Sequence, residues 1–368
     1  MKVTTNFRDS GKVNQILPVM QEHFGTTMNL ARIKLMALMI HALCMVQTVS
    51  LHKLAAAMPS GVSRDSNMRR LQRFLARYTL NLDLIARMIF SLLPVKSGLV
   101  LSMDRTNWKF GQTNINILML GITYQGIAFP LIFRLMDKRG NSSQKERIAL
   151  MEKFISLFGK ECIRCLVADR EFVGDEWIGW LNTYRIRYYI RIRQNFWVRN
   201  PKSSEDTRAW WLFNRVRLGE EYFYHKPYLL KGEYVYLAGA RLRNSQGDPE
   251  LQILICYNHP DEAIATYRER WQIETCFRAM KSSGFDMEAT HLRDIERITR
   301  LVAMVCIALV WAYLVGEHKD LNIKPIRILN HGHRAKSLVK YGLEEIFDVL
   351  SRPWRKPDFD IFKFLSCS

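Results

Sequence analysis

The 368-residue sequence is short of acid: 35 Asp and Glu stand against 54 Lys and Arg, a formal net charge of +19. So large a deficit points to a polyanionic partner, either nucleic acid or an anionic membrane surface. The chain also lacks an apolar run of bilayer length. Its longest, Leu301 to Gly316, falls short of the ~20 residues a spanning helix needs and reads as a core helix. No secretory signal is evident, because Met1 to Ser10 is polar and Arg32, Lys34 and His41 interrupt the stretch from Met28 to Val46. Cysteine is scarce and scattered. The seven thiols suit a reducing compartment and a cytoplasmic protein, and Cys162 and Cys165 form a lone C-x-x-C with no second pair, so zinc is not expected. Internal repeats and low-complexity stretches are absent too. What is present is a hydrophobic fraction of 48%, enough for a sizeable core, over a length that suggests two or three domains.

Residues 1–96 read as all-helical. Met28 to Val46 is rich in helix formers, Ser50 to Met58 stops at Pro59, and Ser63 to Tyr78 sets Met68, Leu71, Phe74 and Leu75 on one stripe. Arg64, Arg69, Arg70, Arg73 and Arg77 surround that stripe, and a fourth helix runs from Asn81 to Leu93. Helix, Pro-Ser-Gly turn and arginine-rich helix resemble a helix-turn-helix, so this segment is expected to bind DNA ends. A helical bundle with a solvated basic face is the plainer alternative.

From residue 97 the period changes from helical to strand-like. Leu99 to Met103 is a short strand ending at Asp104; Ile115 to Tyr124 and Ile127 to Met136 follow, joined by a Gln125-Gly126 turn. A helix over Lys145 to Leu157, a strand from Cys162 to Ala168 ending at Asp169, a helix over Asp175 to Tyr184 and a strand from Tyr188 to Ile192 complete the series. That order is the order of a ribonuclease-H-like mixed α/β sheet, in which the first and fourth strands are neighbours. The catalytic domain is expected over 97–317, with a β-rich insertion at 198–250, a strand from Leu251 to Tyr257, and long helices over Asp261 to Ser282 and Asp294 to Glu317. A basic C-terminal region, 318–368, closes the chain.

A carboxylate at the end of an apolar strand is costly unless solvated, paired or holding a cation. Asp104 and Asp169, on strands expected to be neighbours, would repel, and a divalent ion is the usual compensation. Farther along, at about 100° per residue, Tyr267, Arg270, Glu274 and Lys281 fall at about 0°, 300°, 340° and 320° around one helix. One narrow stripe thus offers a metal-binding carboxylate, two cations for phosphates and an aromatic hydroxyl. An Arg270–Glu274 surface pair at i, i+4 would account for two of the four but leaves Tyr267 and Lys281 in line unexplained.

The spacing Tyr-x2-Arg-x3-Glu-x6-Lys, filled by Tyr267, Arg270, Glu274 and Lys281, with Trp271 after Arg270, resembles the signature of bacterial cut-and-paste DDE transposases of insertion-sequence family four. Met-Asp-Arg-Thr-Asn-Trp around Asp104 and Ala-Asp-Arg-Glu-Phe around Asp169 resemble that family's two aspartate motifs. The resemblance implies a ribonuclease-H-like domain whose Asp104, Asp169 and Glu274 bind two Mg²⁺ or Mn²⁺ ions. It also implies hydrolysis at transposon ends, strand transfer into target DNA, and a homodimer on double-stranded DNA in a bacterial, nucleoid-associated setting. Tyr267, Arg270, Trp271 and Lys281 would contact DNA, and Trp197, Trp210 or Trp211 of the insertion would stack on a flipped base. The short C-terminal region departs from larger members, which puts a counterpart of their C-terminal dimerisation helices in doubt. A structure-selective nuclease that cuts without joining is the main alternative; a non-enzymatic DNA-binding descendant would not need the three carboxylates.

Overall fold

Five helices open the chain in the computed structural model, which describes residues 13–110, 113–330, 332–352, 354 and 358–366. They are α1 (Val13–Phe24), α2 (Leu30–Val46), α3 (Leu51–Ala57), α4 (Arg64–Arg77) and α5 (Leu82–Leu92). Asn29, Ser63 and Asn81 start α2, α4 and α5 by accepting N–H bonds from Arg32, Ser66 and Asp83. Ser50 makes no such bond to α3. Asn67 of α4 is buried; it accepts from the Ser60 hydroxyl at 2.9 Å and donates to the Ala55 carbonyl at 3.3 Å, tying α3, its turn and α4 together.

The sheet follows: β1 (Leu99–Phe110), β2 (Thr113–Tyr124), β3 (Ile127–Met136), α6 (Gln144–Phe158), β4 (Ile163–Ala168), α7 (Asp175–Thr183) and β5 (Tyr188–Ile192). Gln125 and Gly126 both have positive φ, 42° and 95°, the conformation of a tight turn whose twist matches its strands. Antiparallel ladders join β1 to β2 and β2 to β3, while β4 runs parallel to both β1 and β5. The resulting order, β3-β2-β1-β4-β5, is the expected ribonuclease-H-like sheet, with the first and fourth strands adjacent.

The insertion is β-rich: β6 (Trp197–Arg199), β7 (Asp206–Arg208), α8 (Ala209–Leu212), β8 (Glu221–Phe223), β9 (Tyr228–Leu230) and β10 (Glu233–Arg243), then β11 (Pro249–Cys256). It does not stand apart, because β11 pairs antiparallel with β5 and carries the sheet on to eleven strands.

The helix expected over Asp261 to Ser282 is broken. It consists of α9 (Ala263–Tyr267), a 3-10 turn (Arg268–Arg270) and α10 (Trp271–Lys281). Next come α11 (Ile295–Asn322), α12 (Leu338–Ser351) and a 3-10 turn at Phe362–Leu365. α11 is long and apolar enough to cross a membrane, but 89% of its apolar window is buried inside the protein. A helix apolar all round needs cover on every side, and α2, α4, α5, α12 and β3 supply it. One core therefore runs from Ile16 in α1 to Leu365. A second, smaller cluster lies on the other face of the sheet, where Val100, Cys165, Val167 and Tyr189 meet Ile264 and Tyr267. Cys162 and Cys165 are buried free thiols.

Candidate active site

Met103 and Ala168 are the last pair of the parallel β1–β4 ladder. The next residues are Asp104 and Asp169, so both carboxylates emerge at one level on neighbouring strands. β4 ends there, as expected. β1 does not: it stays paired with β2 as far as Phe110, which places Asp104 inside a strand rather than at its end. The long β2 partner sustains the ladder through Arg105, Asn107 and Lys109, residues too polar for an apolar pattern to reveal.

Glu274 arrives on α10, whose entry is pinned to the sheet by side chains. Buried Ser102 of β1 donates to the Arg270 carbonyl at 3.4 Å, and Thr123 of β2 donates to Glu269 at 2.8 Å. The N–H of Gly126, in the β2–β3 turn, donates to the Gln272 side chain at 3.2 Å. Ile273, Phe277 and Met280 bury the adjoining face of the helix. Glu274 is thereby fixed beside strands more than a hundred residues away in sequence.

The charged groups are drawn tightly together. Arg270 lies between two carboxylates, with Nη2 2.6 Å from Glu274 and Nη1 3.4 Å from Asp104; its side chain is only 11% exposed. The Tyr267 hydroxyl donates to Asp169 at 3.2 Å. The Asp104 carboxyl is pushed up to about 7, first by burial and then by Glu171 and Asp169, against the opposing Arg105 N–H bond and Arg270. Such a group calls for positive charge, which Arg270 supplies from one side.

The stripe expected from helical angles is thus met in part. Tyr267, Arg270 and Glu274 do converge with both aspartates. A 3-10 turn advances about 120° per residue rather than about 100°, however, so Tyr267 does not continue the face of α10. Its ring is 7% exposed within the second core cluster, and burial raises its pKa. Lys281 sits apart at the far end of α10. Its Nζ donates to the Asn107 carbonyl at 2.9 Å, lies 3.7 Å from Glu288 and stands 5.5 Å over the Trp108 ring. Trp271 is 55% exposed beside the site.

The other candidates lie elsewhere. Arg64, Arg69 and Arg73 are exposed on α4, which packs against α3 and α11. Arg70 is half-buried and donates to Asn67 at 3.3 Å. In the insertion, the Trp197 ring is stacked by Arg208 at 3.8 Å, and Trp210 meets Trp211 edge-on at 5.4 Å. Trp211, Arg215, Tyr222 and Tyr224 line a cavity of about 590 Å³.

Sequence reasoning passed over Arg105, Glu171 and Arg147. Arg105 grips Glu171 with two N–H bonds of 3.1 Å, and Arg147, 3% exposed, donates to the Glu171 carbonyl at 3.0 Å. Two of the three lie within the aspartate motifs, beside residues whose chemistry is easier to see.

Among the described residues no set of three or more Asp, Glu, His or Cys side chains is arranged to hold a metal ion, and the Arg270 guanidinium lies between Asp104 and Glu274. The donor set itself fits one. Three carboxylates with no His or Cys suit a hard divalent cation, and Asp104 sits where a cation would relieve its burial.

No curated protein sequence matches the chain. A family model does: the transposase DDE domain matches residues 99–311, more than half of the chain and the span from β1 into α11. The chain belongs to the DDE transposase family. It is accordingly a DNA-cleaving enzyme of DNA transposition, with its ribonuclease-H-like catalytic domain placed after N-terminal helices, and transposases of this kind typically use divalent metal ions. Among solved structures, this transposase is similar to piggyBac transposase in a cryo-EM structure of its synaptic complex with hairpin DNA. The TM-score is 0.48 and the identity 11%, over 96% of this chain and 80% of that one.

Proposed function

We propose that this transposase performs cut-and-paste transposition as a member of insertion-sequence family four, with Asp104, Asp169 and Glu274 as its catalytic carboxylates. The observation that carries the reading is the emergence of Asp104 and Asp169 at one level on neighbouring parallel strands, with Arg270 joining Asp104 to Glu274. Two Mg²⁺ or Mn²⁺ ions held by these carboxylates would stabilise the attacking and leaving oxygens of phosphodiester cleavage. Asp104 would hold both ions, with Asp169 and Glu274 completing the set. Tyr267 orients Asp169 through its hydroxyl bond. Arg270 releases the carboxylates on DNA binding and takes a phosphate next to the scissile bond, where a planar fork can hold two oxygens. Lys281 and Trp271 extend that contact along the strand. Hydrolysis at a transposon end frees a 3′-hydroxyl, which then attacks target DNA. The substrates are double-stranded terminal inverted repeats and target DNA, α4 contributes to end binding through Arg64, Arg69 and Arg73, and a homodimer joins two ends in the bacterial cytoplasm.

The test is cleavage and joining of labelled transposon-end DNA in Mg²⁺. Wild type should cut the end and attach the labelled 3′ strand to a plasmid. Asp104→Asn, Asp169→Asn and Glu274→Gln should each abolish both steps while keeping wild-type circular dichroism and end binding, since each removes a charged ligand and not a core contact. Robust cutting by any one of them removes that residue from the set. Cutting without joining by the wild type would favour a structure-selective nuclease.

A further inference from the structure

A fourth carboxylate stands at this site. Glu171 lies two residues after Asp169, in the 3-10 turn Arg170–Phe172 that Asp169 opens. Arg105, which follows Asp104 on β1, holds it with both carboxylate oxygens engaged: Nε to Oε1 and Nη2 to Oε2, each 3.1 Å. The same guanidinium donates to Asn116 at 3.3 Å and Asn141 at 3.2 Å. Asn116 is itself buried and fixed by donating to the Lys138 and Gly140 carbonyls at 3.2 and 3.0 Å. Four of the guanidinium's bonds are thus set by β2, the loop before α6 and Glu171, so it has little freedom to turn elsewhere. The backbone of Glu171 is held separately by Arg147, which also donates to Ser142 and lies 4.9 Å from the Phe172 ring. Side chain and main chain of one glutamate are therefore gripped by two different arginines.

We propose that Arg105 and Glu171 are positioning residues for the cleavage reaction. Arg105 draws the Glu171 carboxylate away from Asp104 and Asp169, and so sets how many negative charges face a divalent ion. The inference rests on the reading of Asp104, Asp169 and Glu274 as metal-holding residues. Side-chain exposures of 15% and 22% keep the pair from being an ordinary surface bridge, where solvent would screen most of its effect. The Glu171 charge is already felt at Asp104, whose carboxyl it helps to push up. The two partners therefore act on bound metal with opposite signs. Without Arg105, Glu171 is free to add a carboxylate to the site. Without the Glu171 charge, the cation of Arg105, the residue after Asp104 on β1, is left without its ion-pair partner.

The measurement is Mn²⁺ binding to the full DNA-free chain, followed by the electron paramagnetic resonance signal of free Mn²⁺. Arg105→Gln should bind Mn²⁺ about tenfold more tightly and Glu171→Gln about tenfold more weakly, the scale for groups that surround metal ligands. The double variant should return near wild type. Both single variants should lower kcat for Mg²⁺-dependent cleavage with KM for DNA little changed. A purely structural tie predicts lower thermal midpoints and Mn²⁺ affinities that are unchanged or move in the same direction, and that result overturns the proposal. Should either glutamine variant fail to fold, Arg105→Met and Glu171→Leu, which remove the same charges at similar size, carry the same test, with the same opposed signs expected. Equal Mn²⁺ binding by wild type and Asp104→Asn would instead sink the metal reading of the triad and this inference with it. Normal loss in Asp104→Asn with no opposed shift at Arg105 and Glu171 sinks this inference alone.

Discussion

A guanidinium held between Asp104 and Glu274 stands where positive charge is most needed, which gives Arg270 two jobs. It offsets the carboxylates in the DNA-free protein, and it is available to a phosphate once metal takes over that task. Arg270→Ala is therefore expected to tighten Mn²⁺ binding to the DNA-free chain and to slow cleavage by about 10²-fold, the scale for one lost transition-state contact. Arg270→Lys should restore cleavage only in part, because a point charge cannot span two oxygens as a fork does. Paired titrations of metal binding and single-turnover cleavage check both effects, and unchanged turnover in the alanine variant would reduce Arg270 to a structural contact. A second residue acts on stability alone. His41 of α2 is 6% exposed, its Nδ1 has no hydrogen-bond partner, and burial lowers its pKa to about 4. The native protein keeps it neutral, while the unfolded chain takes up a proton near pH 6.5. The stability it confers is full above pH 6.5 and is lost as the pH falls towards 4, by about 3 kcal/mol in all. Urea midpoints at pH 7, 5.5 and 4.5 should fall less steeply for His41→Leu than for wild type; parallel curves would show that another group controls the acid limb.

At the scale of elements, the crossing of α11 and α12 leaves no space to spare. A methyl group built on Gly342 would come 1.7 Å from the Ala312 carbonyl oxygen, and one on Gly316 would come 2.0 Å from that of Leu338. Both obstacles are helix backbone and cannot rotate away. Gly342→Ala should cost at least about 3 kcal/mol, the upper part of the range for overpacking. A thermal midpoint within a degree of wild type would show that the two helices can separate without loss. The consequence reaches the site, because α11 covers β3 and packs against α10. The 3-10 turn Arg268–Arg270 has a similar effect on chemistry: by breaking the helix between Tyr267 and Trp271, it lets Tyr267 fill the second core cluster while Glu274 stays on the side of the aspartates.

Over the whole molecule, the excess of base has to be placed somewhere, and α4 carries part of it on an exposed face. That helix cannot be detached cleanly. Arg300 of α11 donates to the carbonyls of Leu75 and Tyr78 at its end, and Leu71, Phe74 and Leu75 belong to the common core. End binding is therefore best tested in the intact chain. Replacing Arg64, Arg69 and Arg73 with Ser should flatten the slope of log K against log salt by roughly two to three, if each neutralises one phosphate. Arg70 is left in place because it bonds to Asn67. An unchanged slope would move end binding away from α4.

Much of this arrangement was legible from local pattern. The Gln125-Gly126 turn and the alternation of strands and helices from β1 to β5 depend on contacts within a few residues, and those are written in the order of side chains. The same order makes β1 and β4 neighbours, which was enough to pair Asp104 with Asp169. Other features have partners too distant for any window to show. β1 extends to Phe110 because β2 continues beside it, and the insertion joins the sheet because β11 finds β5. The break at Arg268 accompanies the placing of Tyr267 in a cluster with Val100 and Tyr189. Whether Arg270 faces phosphate or carboxylate, and whether Glu171 is free or held by Arg105, is a matter of charge balance among residues from three separate segments. The sequence by itself determined which carboxylates could meet and on what sheet, since strand order and helical period follow from local side-chain and backbone chemistry. Only the tertiary structure decided which cations stand between them, because an ion pair has no period along the chain and is set by the distance between side chains once the sheet has formed.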